Sequence, residues 1–152
     1  MDKVLVAGLG NPLMADEGVG VHTVRELQRR AAQFPHVDFV DLGTGGLTVL
    51  HAMAGRSKAV FIDCAFMDEP PGTIRRFAPE DAVSAKPILT TTAHAGDLLQ
   101  TIELSRALGE CPEEIVIFGI QPARVGPGPD LSPALAEHLT EYANAVAREL
   151  NA

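Results

Sequence analysis

Short runs of valine, isoleucine and other apolar residues alternate along this chain with longer segments in which apolar residues recur at the helical period. The first run, Lys3 to Leu9, is almost wholly apolar, as expected of a strand covered on both faces. Lys58 to Cys64 and Glu114 to Ile120 have the same character. Alternation of buried strands with helices is typical of a parallel sheet joined by crossover helices. We therefore predict an α/β fold.

The other segments complete a mostly parallel, twisted, five-stranded sheet with helices on both faces, and residues 1–152 are expected to form a single three-layer α/β/α domain. A second strand is predicted at Val37 to Asp41, and an antiparallel edge strand at Thr73 to Ala78. The predicted helices are Asp16–Gly18 to about Gln33, Leu47 to Ala54, His94 to Leu108, and one capped by Ser132 with Pro133 in its first turn. We expect an exposed loop at Pro79 to Pro87.

Composition excludes several classes of partner. The chain has 12 Lys and Arg against 20 Asp and Glu, a formal charge of -8, which disfavours binding to a phosphate backbone. Only 5% of its residues are aromatic, so platforms for base stacking are scarce, and we expect no nucleic-acid partner. No apolar run approaches the roughly 20 residues of a membrane span, and no signal peptide is evident. Cys64 and Cys111 form no CxxC motif, so we expect a reducing cytoplasm.

Glycines and polar residues follow the first three predicted strands at the points where these strands end. Because parallel strands end at the same edge of a sheet, these residues are expected to lie close together. They are Gly8, Gly10 and Asn11 with Asp16 and Glu17 after the first strand, Asp41 and Gly43 to Gly46 after the second, and Asp63 after the third. His94, which opens a later helix, can reach the same edge. Carboxylates from two strand ends plus an imidazole form a workable ligand set for a divalent transition metal.

Each candidate also has a structural interpretation. Taken singly, Asp16 is better explained as a helix N-cap and Glu17 as a first-turn residue favoured by the helix dipole, but two adjacent carboxylates leave one available for chemistry. Asp63 is harder to explain in this way, because a carboxylate that ends an apolar strand needs a partner or a function. We assign Cys64 to core packing, since no neighbouring histidine is evident. The other histidines are interpreted as surface, loop or helix residues: His22, His36, His51 and His138.

Five segments carry a resemblance to a known family: Gly8 to His22, Asp41 to Gly46, Phe61 to Cys64, Thr91 to Leu99, and Ile115 to Pro122. They resemble the hydrogenase maturation endopeptidases, nickel-dependent proteases that trim the C-terminus of the large subunit of [NiFe] hydrogenases. The resemblance implies that Glu17, Asp63 and His94 are the catalytic, metal-engaging residues. Some family members have Asp at the position of Glu17, which keeps the ligand type.

The resemblance also implies the substrate, a [NiFe] hydrogenase large-subunit precursor that brings its own nickel. Cleavage would then follow nickel insertion, by attack of water without a protein nucleophile. We expect the isolated protein to be monomeric and metal-free. The residues expected to bind substrate or to orient a ligand are Asn11, Asp16, Asp41, Gly43, Thr44, Gly45 and Gly46.

Three other functions compete with this interpretation. A non-catalytic nickel-recognition chaperone could use the same ligands only to bind the loaded precursor. Peptidyl-tRNA hydrolase also has GLGNP after its first strand, but carboxylates follow here where a tRNA enzyme needs cations. Generic nucleotide binding is disfavoured, because the turn lacks the third glycine of a dinucleotide fingerprint.

Overall fold

The computed structural model describes residues 3–84 and 93–151, and gives the backbone alone for residues 82–84 and 93–97. The strands are β1 (Val4–Leu9), β2 (Val37–Gly43), β3 (Lys58–Cys64), β4 (Ile74–Phe77) and β5 (Glu114–Ile120). They form one five-stranded sheet in the order β2-β1-β3-β5-β4. All neighbours are parallel except β4, which lies antiparallel to β5 at the edge. The predicted fold class is confirmed.

The helices are α1 (Val19–Gln28), α2 (Leu47–Met53), α3 (Pro79–Ser84), α4 (Ala93–Ala107), α5 (Pro133–Ala136) and α6 (Leu139–Leu150). Two 3-10 turns, Asp16–Gly18 and Ala31–Gln33, flank α1. None of the helices within the described ranges is long and apolar enough to cross a lipid bilayer.

Side chains alternate between the two faces of the sheet, and each face has its own core. On one face Val60, Ile62 and Cys64 of β3 pack with residues of α1 and α6, among them Val24 and Tyr142. On the other face Ala59 and Phe61 pack with residues of α2 and α4 such as Met53 and Ile102. Because successive strand residues point to opposite faces, Asp63 belongs to the α2 and α4 face.

Helix α1 lies directly against the sheet because small residues line the contact. A Cβ atom on Gly20 would be 2.1 Å from the carbonyl oxygen of Ile62, and one on Gly8 would be 2.4 Å from the carbonyl oxygen of Gly20. Only glycine permits this separation between backbones. The contact fixes the start of α1, and the turn before it, over the carboxyl ends of β1 and β3.

The first helix is shorter than predicted, since α1 ends at Gln28 and a 3-10 turn replaces the expected helical residues up to Gln33. Val21, Val24 and Leu27 are fully buried as predicted. The chain bends after α1, and Phe34 packs edge-on against Phe39 of β2, with ring centroids 6.0 Å apart. Burial of that ring therefore competes with continuation of the helix.

The expected loop at Pro79 to Pro87 is wrong where the structure describes it, because Pro79–Ser84 forms α3. Pro79 has the backbone torsion that suits the first residue of a helix. Asp81 Oδ2 accepts the Ala78 N–H at 3.0 Å, which is one half of a capping box. Residues 85–87 lie outside the described residues.

The C-terminal helix also differs from prediction, because it is divided into α5 and α6. Pro133 occupies the first turn as expected, but the Ser132 side chain makes no capping hydrogen bond to α5. Its hydroxyl instead donates to Asp16 Oδ2 at 2.7 Å. The hydroxyl is thus committed to a distant carboxylate, a contact that local sequence cannot indicate.

Candidate active site

The turn after β1 folds back sharply, and Gly10 makes this possible. Gly10 has φ 114°, and a Cβ atom there would be 2.0 Å from the carbonyl oxygen of Glu17. The same Cβ position lies 3.6 Å from Asp63 Oδ1. Gly10 therefore allows the turn that carries Glu17 to approach the end of β3.

The Asp63 carboxylate is buried and only half satisfied. Asp63 is only 2% exposed, and its Oδ1 accepts a hydrogen bond from the Cys64 N–H at 2.8 Å. Oδ2 is buried and has no hydrogen-bond partner among the described residues. Buried polar atoms are nearly always paired, so this oxygen is poised to take a proton or a cation.

Burial is the main reason why the pKa of Asp63 is raised to about 7. The Cys64 N–H opposes the shift by stabilising the carboxylate, and the negative charge of Glu17 adds to it. The charge of Glu17 therefore acts on Asp63 from the end of the neighbouring strand β1. Glu17 itself is half-buried in the 3-10 turn Asp16–Gly18, where its N–H donates to the Met14 carbonyl at 3.2 Å.

Asp16 is fully buried, and its carboxylate joins the turn to the segment that follows β5. Oδ2 accepts the backbone N–H groups of Ala123 and Arg124, each at 2.9 Å, and the Ser132 hydroxyl at 2.7 Å. Oδ1 accepts the Ser132 N–H at 2.7 Å. We call this set of contacts the Asp16 clamp. The N-cap interpretation of Asp16 is therefore wrong.

The clamp also determines the charge of Asp16. Burial by itself raises the pKa of this carboxyl, but the hydrogen bonds from Ser132, Arg124 and Ala123 together outweigh it, so the pKa lies below its ordinary value. Asp16 is thus a carboxylate with its acceptor capacity committed to the protein. Glu17, the next residue, is the one whose negative charge acts on Asp63. The partners Ala123, Arg124 and Ser132 carry no sequence signal that could have revealed this role.

His94 is the second residue of α4, the helix that packs on the face to which Asp63 belongs. Its side chain lies outside the described part of the structure. Among the described residues no three His, Cys, Asp or Glu side chains are arranged to hold a metal ion. The structure thus brings together Glu17 and Asp63, two of the three predicted ligands. The donor types fit a divalent transition metal, and the unpaired Asp63 oxygen is the observation that favours one.

Asp41 lies on the opposite face of the sheet from Asp63. It follows Phe39 by two residues on β2, and Phe39 packs with the α1 core. One carboxylate oxygen accepts the Gly43 N–H at 2.9 Å, and the other lies 3.5 Å from Nη2 of Arg25 on α1. Asp41 therefore shapes the start of the Gly43 to Gly46 turn rather than contacting Asp63.

The Gly43 to Gly46 turn lies beside the β1 turn, because the Gly10 N–H donates to the Gly43 carbonyl at 2.7 Å. Its glycines at positions 43, 45 and 46 all have positive φ. Asn11 shapes the other turn, since its Oδ1 accepts the Leu13 N–H at 2.9 Å. Both glycine-containing segments predicted from the sequence thus meet at the same edge of the sheet.

The remaining cysteine and histidine candidates lie apart from the acidic pair or in the core. Cys64 is buried in the α1 and α6 core, and burial together with nearby carboxylates raises the pKa of its thiol. Burial lowers the pKa of His22, which is half-buried on α1. His36 and His51 are exposed, and His138 Nδ1 lies 2.9 Å from a Glu141 carboxylate oxygen.

The fold and the site define an α/β protein with an acidic pair, Glu17 and Asp63, at the carboxyl edge of a mainly parallel sheet. Residues 21–149 match the family model described as hydrogenase maturation protease. The chain belongs to the hydrogenase maturation protease family.

Individual relatives agree with this assignment. The chain is 30% identical to the hydrogenase 2 maturation protease of Escherichia coli, over 97% of this chain and 92% of that protein. It is 30% identical to the hydrogenase expression/formation protein HupD of Thiocapsa roseopersicina, over 91% of this chain and 63% of that protein. The chain spans about three fifths of the length of several curated relatives that it matches.

Comparison with solved structures gives the same fold. The hydrogenase maturating endopeptidase HybD of Escherichia coli superposes with a TM-score of 0.86 and 26% sequence identity, covering 98% of this chain and 92% of that one. The similarity therefore extends over the whole sheet and the helices on both of its faces.

Proposed function

We propose that this chain is an endopeptidase that removes the C-terminal extension of a [NiFe] hydrogenase large-subunit precursor after nickel has been inserted. The observation that supports it best is the buried Asp63 Oδ2, which has no hydrogen-bond partner in the described part of the chain and lies near the charge of Glu17. A site of this kind gains most from a cation that arrives from outside the protein. Membership of the maturation protease family supports the choice of substrate.

In this proposal nickel belongs to the substrate, where cysteine thiolates hold it. Glu17, Asp63 and His94 are the residues that would engage it, because carboxylate oxygens and imidazole nitrogen are suitable ligands. The ion would supply Lewis-acid activation of the scissile carbonyl and of water. The chain's own contribution is to bury Asp63 near Glu17 and to leave Asp63 Oδ2 without a hydrogen-bond partner among residues 3–84 and 93–151 as described.

Dependence on nickel follows from the electrostatics of this pair. Without a cation, the Glu17 charge and burial favour a protonated Asp63. A precursor that has received nickel brings a positive charge that favours the ionised form of Asp63, whereas an empty precursor does not. The acidic pair would therefore discriminate between the two forms by charge.

The surrounding residues have supporting roles in the proposal. The backbone of Gly43, Thr44, Gly45 and Gly46 holds the precursor's extension near the nickel, and Asn11 shapes the adjoining turn. Asp16 orients Glu17 through the Asp16 clamp, and Asp41 acts through the glycine turn. We further propose that the protein acts as a monomer in the cytoplasm, where Cys64 and Cys111 stay reduced.

The test combines the purified protein with nickel-loaded and nickel-free precursor, and measures the mass of each product. We expect loss of a C-terminal peptide from the loaded precursor only. Cleavage of both forms would refute nickel dependence. Stable binding of the loaded precursor without any loss of mass would refute the peptidase and support a recognition chaperone.

Variants locate the reaction at the acidic pair. Glu17→Gln, Asp63→Asn and His94→Ala are each expected to lower the cleavage rate at least about a hundredfold, because each removes a ligand of the nickel. Glu26→Gln is the matched control, since it changes a carboxylate on α1 that pairs with Arg29 near the surface. Site variants that cleave as fast as the control would contradict the assignment.

Asp16→Ala and Asp41→Ala test the two supporting carboxylates separately. We expect Asp16→Ala to lower cleavage more strongly, because it leaves the Ala123, Arg124 and Ser132 donors without their acceptor. Asp41→Ala removes one hydrogen bond to the glycine turn and a weak, exposed ion pair. Initial rates on nickel-loaded precursor are the measurement, and wild-type rates in both variants would end this part of the proposal.

A further inference from the structure

A groove of about 300 Å³ lies between α2 and α4, on the face of the sheet to which Asp63 belongs. It is lined by Gly46, Leu47, Leu50, Gln100, Thr101 and Leu104. Leu47 is 67% exposed and Leu104 is 44% exposed, although both are large apolar residues. Exposed apolar side chains that line one groove are a common sign of a binding surface.

The groove is connected to the candidate active site. A narrower recess, lined in part by Leu9, Thr44 and Gly45, shares Gly46 and Thr101 with the groove. Leu9 precedes Gly10, which is the residue that lies beside Asp63. Neighbouring residues thus lead from the acidic pair, past the Gly43 to Gly46 turn, into the space between the two helices.

We propose that this groove binds the C-terminal extension of the precursor as an extended peptide, with its apolar side chains between Leu47 and Leu104. The inference rests on the proposed function, because it assumes that the precursor's nickel lies at Glu17 and Asp63. A chain that is cut next to this pair must leave it along the protein surface, and the groove begins at that edge of the sheet.

Size and chemistry favour a peptide segment as the occupant. A volume of about 300 Å³ is at the lower end for ligand cavities, so it accommodates a few side chains and not a folded body. The leucines offer apolar contact, and the Gln100 amide can donate to and accept from a peptide backbone. The groove therefore suits a short extended segment with apolar side chains.

This role predicts a particular kinetic effect. We expect contacts with the extension that are distant from the scissile bond to be equally strong in the ground state and in the transition state. Their loss raises KM and leaves kcat almost unchanged. Residues that engage the nickel affect kcat instead, so the two parts of the site are separable by kinetics.

The experiment uses Leu47→Ala with Leu104→Ala as a double variant, assayed on nickel-loaded precursor. We expect KM to rise about tenfold and kcat to stay within about twofold of wild type. Leu108→Ala is the matched control, because Leu108 is 54% exposed just after α4 and does not line the groove. Unchanged KM in the double variant, or an equal change in the control, overturns the inference.

A second substrate identifies the occupant. The second substrate is a nickel-loaded precursor in which serine replaces the apolar residues of the extension. For the wild-type enzyme we expect its KM to be about tenfold higher than that of the unaltered precursor. The leucine double variant is expected to show little additional change on it, because the interacting partner has already been removed. A full additional effect would mean that another part of the precursor occupies the groove, which overturns the inference. If the wild-type enzyme does not cleave the loaded precursor, the proposed function is overturned as well. If it cleaves the precursor but the groove variants show no specific effect, only the inference about the groove is overturned.

Discussion

The Asp63 carboxyl group occupies an environment that does not favour its charge. It is buried at the end of an apolar strand, has one hydrogen bond to the residues that the structure describes, and lies near Glu17. Natural cores rarely retain such a group unless a partner or a function compensates for it. The folded protein therefore binds the Asp63 proton more tightly than the unfolded chain does, and this links its stability to pH.

Asp63→Asn measures that link. The ordinary pKa of Asp is about 3.9, and in the folded protein it is raised to about 7. Between these values the folded state holds the proton, so each rise in pH lowers wild-type stability through this group. Relative to wild type, the variant is expected to gain about 1 kcal/mol per pH unit from pH 5 to 7 and to level off above that. Urea unfolding of the metal-free proteins is the measurement, and a pH-independent difference would contradict the prediction.

Among single residues, Asp63 could be recognised from the sequence as a candidate site residue, because an acidic residue directly after Phe61 and Ile62 is chemically unusual. The local pattern alone does not distinguish Asp16 from Glu17, and only the family resemblance implied different roles for them. What separates them is the clamp: Asp16 contacts Ser132, 116 positions away in the chain. Pattern and propensity do not report contacts of that range.

Among the elements, α1 owes its position to the missing side chain of Gly20. The helix approaches β3 so closely that its backbone lies against the Ile62 carbonyl. Alanine normally stabilises a helix interior relative to glycine by up to about 1 kcal/mol. Here the added methyl group has no room, so the usual preference is reversed.

Gly20→Ala is therefore expected to destabilise the protein by at least about 2 kcal/mol through overpacking. Gly109→Ala provides the contrast: its φ is 71°, but the position of its Cβ is open, so we expect a loss of about 1 kcal/mol from backbone strain alone. Chemical denaturation of both variants is the measurement. A stabilised Gly20→Ala variant would show that α1 can move away from the sheet.

The sheet was predictable almost residue by residue, because buried parallel strands are continuous apolar runs. Lys58–Cys64 and Glu114–Ile120 have the predicted bounds. The helices were less predictable where tertiary contacts decide their ends. Pro79–Ser84 has a weak helical pattern but a side-chain cap from Asp81, and the Ser132 hydroxyl is directed toward Asp16 and not toward α5.

On the scale of the whole molecule, Glu149 connects the C-terminal helix to the sheet. Its carboxylate binds Lys58 of β3 at 2.7 Å and also pairs with Arg76 of β4. The Glu149 side chain is only 9% exposed, and that of Lys58 is 15% exposed. These charges are partly removed from water, so the loss of one leaves the others incompletely compensated.

Glu149→Ala is expected to lower the free energy of unfolding by about 2 kcal/mol, because Lys58 and Arg76 lose their shared partner. Glu103→Ala is the matched control, since its pair with Arg106 is exposed and should contribute less than about 0.5 kcal/mol. Thermal and urea unfolding provide the comparison. Equal losses in the two variants would contradict the special role of Glu149.

The Asp16 clamp has a consequence for the order in which the molecule is made. A ribosome synthesises Asp16 more than a hundred residues before Ala123, Arg124 and Ser132, which are 107, 108 and 116 positions further along. A nascent chain therefore contains Glu17 and Asp63 long before the clamp can fix the Asp16–Gly18 turn. We therefore expect the Asp16–Gly18 turn to reach its final geometry only after the segment that follows β5 has left the ribosome and docked on Asp16.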